Sequence, residues 1–256
     1  MTARRRGWLI GGALAIAAAT AVPVAVGAAQ RTEGAVAHRK QVLDMGDSRI
    51  KFEINATDGD GGVQVFIDAD QWEKMSIYDP NGKRIFTSTA KGRMAEQGGT
   101  ELFLESAEPP FTEVTLDELL DRWPEGEYRF RGASLEGDRY EGSWELTHDL
   151  PDGPTLVFPL EGDPPQDPDD TTVTWEPVAP PNGSPIIAYQ VLVVEDGAEH
   201  DALPTVALDI IMPPDATSLT VPAGFLLPDT EYEWEVLAIE SSGNQTLSSS
   251  FFTTAG

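Results

Sequence analysis

The chain has 256 residues, 40% of them hydrophobic, with 43 acidic residues against 17 Lys and Arg, a net charge of −26 and no cysteine. That length holds one large domain or two of ordinary size, each able to bury a core. The acidity argues against nucleic acid and anionic lipid as partners, and the missing cysteine removes disulfides, thiol catalysis and thiolate metal sites.

At the start, Arg4, Arg5 and Arg6 precede an apolar run from Trp8 to Val26, and Gly27-Ala28-Ala29 follows. This is the layout of a signal peptide over residues 1–29, which implies a secreted, periplasmic or cell-envelope protein. The run is close to the ~18–20 residues that span a bilayer, so retention as an anchor stays open. No second apolar stretch follows, so no other membrane span is expected. An exported chain without cysteine must stand on packing alone, which fits a bacterial protein better than an animal ectodomain.

Residues 30–47 are polar and without a period, and read as a tether. Residues 48–152 then alternate. Ile50, Phe52 and Ile54 lie on one face of a strand, and Val63, Val65 and Ile67 repeat the pattern. Met75 to Tyr78 and Lys83 to Thr89 flank Asp79-Pro80-Asn81-Gly82, a hairpin turn in chemistry. Glu101 to Glu105 makes another strand, and Leu116, Leu119 and Leu120 mark one short helix capped by Thr115 and stopped by Pro124. A second hairpin joins Tyr128–Ser134 to Tyr140–Leu146.

Within this region Asp58-Gly59-Asp60-Gly61-Gly62, with Asp68 and Asp70 beyond, offers oxygen ligands and flexible turns for calcium. No EF-hand pattern is completed there, and an ordinary Gly/Asp turn explains the same residues. Trp72 and Trp123 are candidates for stacking on sugars, or for covering the edge of a small core. His38, His148 and His200 are scattered and read as solvated loop residues. With no Gly-x-Ser-x-Gly elbow and no histidine pair at ligand spacing, nothing in the sequence supports catalysis or a cofactor.

After Leu150-Pro151-Asp152-Gly153-Pro154 comes a run of seven short strands in residues 153–256, from Thr155–Phe158 to Ser249–Thr253. This stretch carries 17 Asp and Glu and not one Lys or Arg. Val173-Thr174-Trp175-Glu176-Pro177 resembles the B strand of fibronectin type III domains, and Ala188-Tyr189-Gln190-Val191 their C strand. Leu227-Pro228-Asp229-Thr230-Glu231-Tyr232 is similar to the Leu-Pro-x-Thr-x-Tyr corner of that family. Pro124 to Tyr128 repeats the Pro-x-x-x-Tyr spacing of that corner. The expected fold is therefore all-β, with two immunoglobulin-like sandwiches, 48–152 and 153–256, after the signal and tether. The resemblance implies a non-catalytic binding or structural module that displays loops to a protein or cell-surface glycan. The alternative is a calcium-dependent or carbohydrate-active accessory domain centred on Asp58–Asp70.

Overall fold

The computed structural model describes residues 40–198 and 207–256, which form one compact unit from Lys40 to Gly256. The signal or anchor segment 1–29, most of the tether, His38 and His200 lie outside the described residues. Strands β1 (Val42–Asp44), β2 (Asp47–Asn55), β3 (Asp60–Tyr78), β4 (Arg84–Thr89), β5 (Gly99–Glu105), β6 (Gly126–Ser134) and β7 (Arg139–Leu146) build the first half. Helices α1 (Arg93–Gln97) and α2 (Leu116–Arg122) interrupt them. The second half holds β8 (Leu156–Phe158), β9 (Thr172–Trp175), β10 (Ile186–Glu195), β11 (Ala207–Met212), β12 (Ser218–Thr220), β13 (Glu231–Glu240) and β14 (Gln245–Thr253). No helix of the described residues is long and apolar enough to cross a membrane.

The alternating residues of β2 and β3 form the core of the first half, because every second side chain points inward. Ile50, Phe52, Ile54, Val63, Val65 and Ile67 pack with Met75, Ile77, Tyr128 and Phe130. Strand β3 is a single element where the sequence reads as two. Residues 60–68 pair with β2 on one edge and β5 on the other, and residues 72–78 pair with β6 and β4. The change of neighbours falls between Asp68 and Trp72, where Gln71 takes a positive φ of 34°. One strand thereby serves two regions of the sheet around the same core.

Helix α2 forms as its sequence dictates. Thr115 Oγ1 accepts from Glu118 N at 3.3 Å and Glu118 Oε2 accepts from Thr115 N at 3.0 Å, a reciprocal cap, while Leu119 is buried. In the β3–β4 hairpin Gly82 sits at φ 80°, and Asp79 accepts from both Gly82 N and Lys83 N. One expectation is corrected at the start of the unit. Residues 42–44, at the end of the segment read as tether, are strand β1, paired in parallel with Arg139–Glu141 of β7. A strand of three residues is too short to leave a period in the sequence.

In the second half, Val173, Trp175, Tyr189, Val191, Val193, Tyr232, Trp234, Val236 and Phe252 form a separate core. Tyr232 is stacked on Phe252 at 5.7 Å, and its hydroxyl accepts from Leu227 N at 2.8 Å. The first half holds the counterpart. The hydroxyl of Tyr128, whose ring is fully buried, donates to Pro124 O at 3.1 Å. Both tyrosines thus tie a chain crossing back to the backbone just before it.

The sheets do not end where the halves meet. An 11-stranded sheet runs in the order β1-β7-β6-β3-β2-β14-β13-β10-β11, with β4 and β5 also on β3, and a second sheet holds β12-β9-β8. The link is a parallel pairing of β14 with β2, in which Gln245, Thr246 and Leu247 face Glu53, Ile54 and Asn55. The turn at Gly243 leads directly into β14 at Gln245.

Candidate functional site: the seam between the halves

Gln245, Thr246 and Glu53 at the junction of β14 with β2 are polar and buried, an arrangement that is costly wherever a group lacks a partner, as Thr246 Oγ1 does. Asn244, fully buried, uses both ends of its amide. Its Oδ1 accepts from Phe52 N at 2.9 Å, and its Nδ2 lies 3.0 Å from Thr147 O, 3.1 Å from Thr147 Oγ1 and 3.2 Å from Asp149 O. One side chain of the second half thereby binds two elements of the first. Glu240 sets the turn that places it, accepting from Ser242 N at 2.8 Å, from Asn244 N at 3.2 Å and from the Ser242 hydroxyl.

Further bonds extend the junction. Trp144 Nε1 donates to Ser242 O at 3.2 Å, and Asp149 accepts from Ser184 Oγ at 2.6 Å and Asn182 Nδ2 at 2.8 Å. Those two bonds hold the Asp149 carboxyl below the usual carboxylate range, Ser184 contributing most. Gly153 lets the chain cross closely: a Cβ there would lie 2.5 Å from Ala56 Cβ and 2.7 Å from Ser248 Oγ. His148 is corrected from solvated to structural. Its ring is half-buried, meets Phe52 edge-on at 5.7 Å and places Nε2 2.9 Å from Trp123 O.

The outward face of the seam carries charge. Glu53 on β2, Glu105 on β5 and Glu108 have carboxylate oxygens within 4.8 Å of one another. Lys51 Nζ donates to Gln245 Oε1 at 2.6 Å, Gln245 Nε2 donates to Glu53, and Gln64 Nε2 donates to Glu105 at 2.9 Å. Burial, and then its neighbours Glu53, Glu105 and Asp60, push the Glu108 carboxyl up to about 7. Burial also raises Glu53 and lowers Lys51 to about 8. On β13, Glu235 is raised to about 8 by burial, with Glu233, Glu53 and Asp58 adding repulsion. Glu108, Glu235 and Lys51 thus have values between about 7 and about 8.

The four aspartates singled out by sequence are not brought together. Asp58, in the β2–β3 turn, accepts from Asn55 Nδ2 at 3.2 Å, and Asp60 pairs with Asn55 at the start of β3. Asp68 stands opposite Asp47 at the far end of that pairing, with exposed Asp70 beyond it. Eight residues of extended strand at ~3.3 Å each separate Asp60 from Asp68 by roughly 26 Å, too far for one ion. Among the described residues the acids that do converge are Glu53, Glu105 and Glu108, and sequence reasoning missed them. Glu53 is on β2, Glu105 ends β5 and Glu108 is in the loop after it, and the β3 pairings to β2 and β5 bring them side by side.

The two aromatic candidates also part. Trp72 is buried under Gly99, where a Cβ would come within 2.6 Å of its ring. Trp123 is half-buried, 6.5 Å from the Tyr128 ring, and lines a shallow groove of about 390 Å³ with Asp79, Ile85 and Arg122.

Comparison with solved structures finds chains of similar type at low similarity. Clostridium thermocellum CbhA fibronectin(III)-like modules match at 12% identity and a TM-score of 0.32, covering 82% of this chain and 94% of that one. A two-domain fibronectin type III segment of chicken tenascin matches at 12% identity and a TM-score of 0.30, covering 82% and 99%. The FN1–FN3 domains of chicken CNTN1 match at 13% identity and a TM-score of 0.32, covering 84% and 66%. No curated protein matches the chain. A family model does match its second half, over the stretch that holds Trp175, Tyr189 and the Tyr232 corner: residues 161–254 are a fibronectin type III domain.

Proposed function

We propose that this chain is an exported, non-catalytic module whose two halves act as one rigid body, displaying loops and edge strands to a protein or cell-surface glycan. The observation that carries the reading is the continuous sheet through β2 and β14, locked by Asn244. Two sandwiches on a loose linker present their loops independently, whereas halves that share a sheet present both sets at fixed spacing. In this reading the first half is itself an immunoglobulin-like sandwich, on the strength of the Tyr128 corner that mirrors Tyr232. Export rests on the layout of residues 1–29 and on an acidic chain without cysteine. The partner is uncharged or cationic where it meets the second half, which carries no Lys or Arg to receive an anion.

A thermal melt of the intact protein with calcium, with chelator and against soluble polysaccharides, run beside hydrolysis assays on peptides, esters and glycans, tests this function. Display by a rigid body predicts no turnover and no calcium-dependent shift. Turnover of any substrate contradicts it, and a calcium-dependent shift abolished by Asp58→Ala moves the function to the accessory-domain alternative.

A further inference from the structure

Three side chains at the seam bring an amine, a carboxamide and a carboxyl group into contact. Lys51 and Glu53 stand two residues apart on the same face of β2, and Gln245 of β14 is paired with Glu53 in the parallel register. Lys51 Nζ lies 2.6 Å from Gln245 Oε1, and Gln245 Nε2 donates to Glu53 Oε2. We propose that Lys51 and Gln245 are the partners of an intramolecular isopeptide bond, formed with Glu53 as the proton carrier, that closes the seam covalently. The inference deepens the one-body reading, and its readout is a covalent bond rather than an unfolding transition, so the two can fail separately.

The geometry meets the needs of acyl transfer to an amine. With a C=O bond of ~1.23 Å, Nζ lies no more than about 3.8 Å from Gln245 Cδ, close to the ~3–3.5 Å of a reacting pair. A carboxamide resists attack because its nitrogen leaves only when protonated. Glu53 is hydrogen-bonded to that nitrogen, where its carboxyl proton has to be delivered. Gln245 and Glu53 are both buried, which keeps water from competing as nucleophile. Burial also lowers Lys51 to about 8 and raises Glu53, two directions that favour a neutral amine beside a protonated acid.

The step balances within these three groups. In the resting pair Glu53 is ionised and accepts from Nε2, and Lys51 is an ammonium. Lys51 passes one proton to the Glu53 carboxylate, and the freed lone pair of Nζ adds to Cδ. Glu53 hands that proton to Nε2 as the Cδ–Nε2 bond breaks, then takes a second proton from Nζ. The products are an Nζ–Cδ amide, one molecule of ammonia and a neutral Glu53 carboxyl, with no oxidant or added reactant. The bond ties β2 to β14 across 194 positions of the chain, the role that a disulfide fills where cysteines exist. The amine has to come from the first half, since the second carries no lysine.

Mass spectrometry of a tryptic digest of the folded, intact protein tests the bond. No Lys or Arg follows Arg139, so trypsin releases residues 140–256 as one piece containing Gln245. Trypsin cuts after a free Lys51 but not after one in amide linkage, so the bond leaves residues 50–74 attached to residues 140–256. The proposal expects that joined species, lighter than the sum of its two parts by one ammonia, about 17 Da. Lys51→Arg keeps the cation and a hydrogen-bond donor for Gln245 but supplies no nucleophilic amine. It should fold as the wild type does, by circular dichroism, and lack the joined species, as should Glu53→Gln. Folded wild-type protein that yields residues 52–74 and 140–256 only as separate peptides would overturn the proposal, as would a joined species that persists in either variant.

Discussion

The two halves of the molecule solve the same problem with different strand layouts. Both close their cores with five buried aromatic side chains, Phe52, Trp72, Tyr128, Phe130 and Tyr140 in the first and Trp175, Tyr189, Tyr232, Trp234 and Phe252 in the second. The second half divides its strands between two sheets, whereas the first places all of its strands in one and stretches β3 across two sets of neighbours. At the seam the second half supplies β14 as a neighbour for β2. The comparison teaches that the sheet of the first half is continued across the seam, and that changes there should cost most.

The largest effect is expected from Asn244→Ala. It strands the buried Phe52 N–H and frees the Thr147 and Asp149 carbonyls, and leaving such groups unpaired costs about 3 kcal/mol in all. Urea unfolding should show that loss as a lower midpoint of a single transition. Gly153→Ala comes next. Its Cβ would press on Ala56 and Ser248, and overpacking at such a crossing costs about 2 kcal/mol.

The twin corners sharpen the comparison. Tyr232→Phe leaves the Leu227 N–H without an acceptor, whereas Tyr128→Phe frees a carbonyl at Pro124, the more tolerable orphan. We expect about 1.5 kcal/mol for the first change and about 0.5 kcal/mol for the second, measured in the same unfolding experiment. Thr115→Ala removes the cap of α2 and should cost about 1 kcal/mol at most, since the helix packs only its leucines on the core.

Most of the strands were legible because alternating apolar residues leave a period of two, and the cap of α2 because Thr115 and Glu118 have the spacing that the bond requires. The continuity of β3 was not. Asp68-Ala69-Asp70-Gln71 has the composition of a turn, and the ladders do break there, but pairing up to Asp68 and again from Trp72 carries the strand through. The seam was hidden for a related reason. Asn244, Gln245 and Thr246 are polar, and a strand whose partners are hydrogen-bond acceptors rather than a core carries no hydrophobic signature. Asp58 to Asp70 stood out because they are near in sequence, while Glu53 meets Glu105 and Glu108, about fifty residues on, only in space. Local chemistry is written along the chain, and convergence across strands is not.

The most direct test of the account is calorimetry of the intact protein near neutral pH. Halves that share a sheet predict one cooperative transition whose calorimetric and van't Hoff enthalpies agree. Two transitions that move independently with substitutions in either half would contradict the one-body claim.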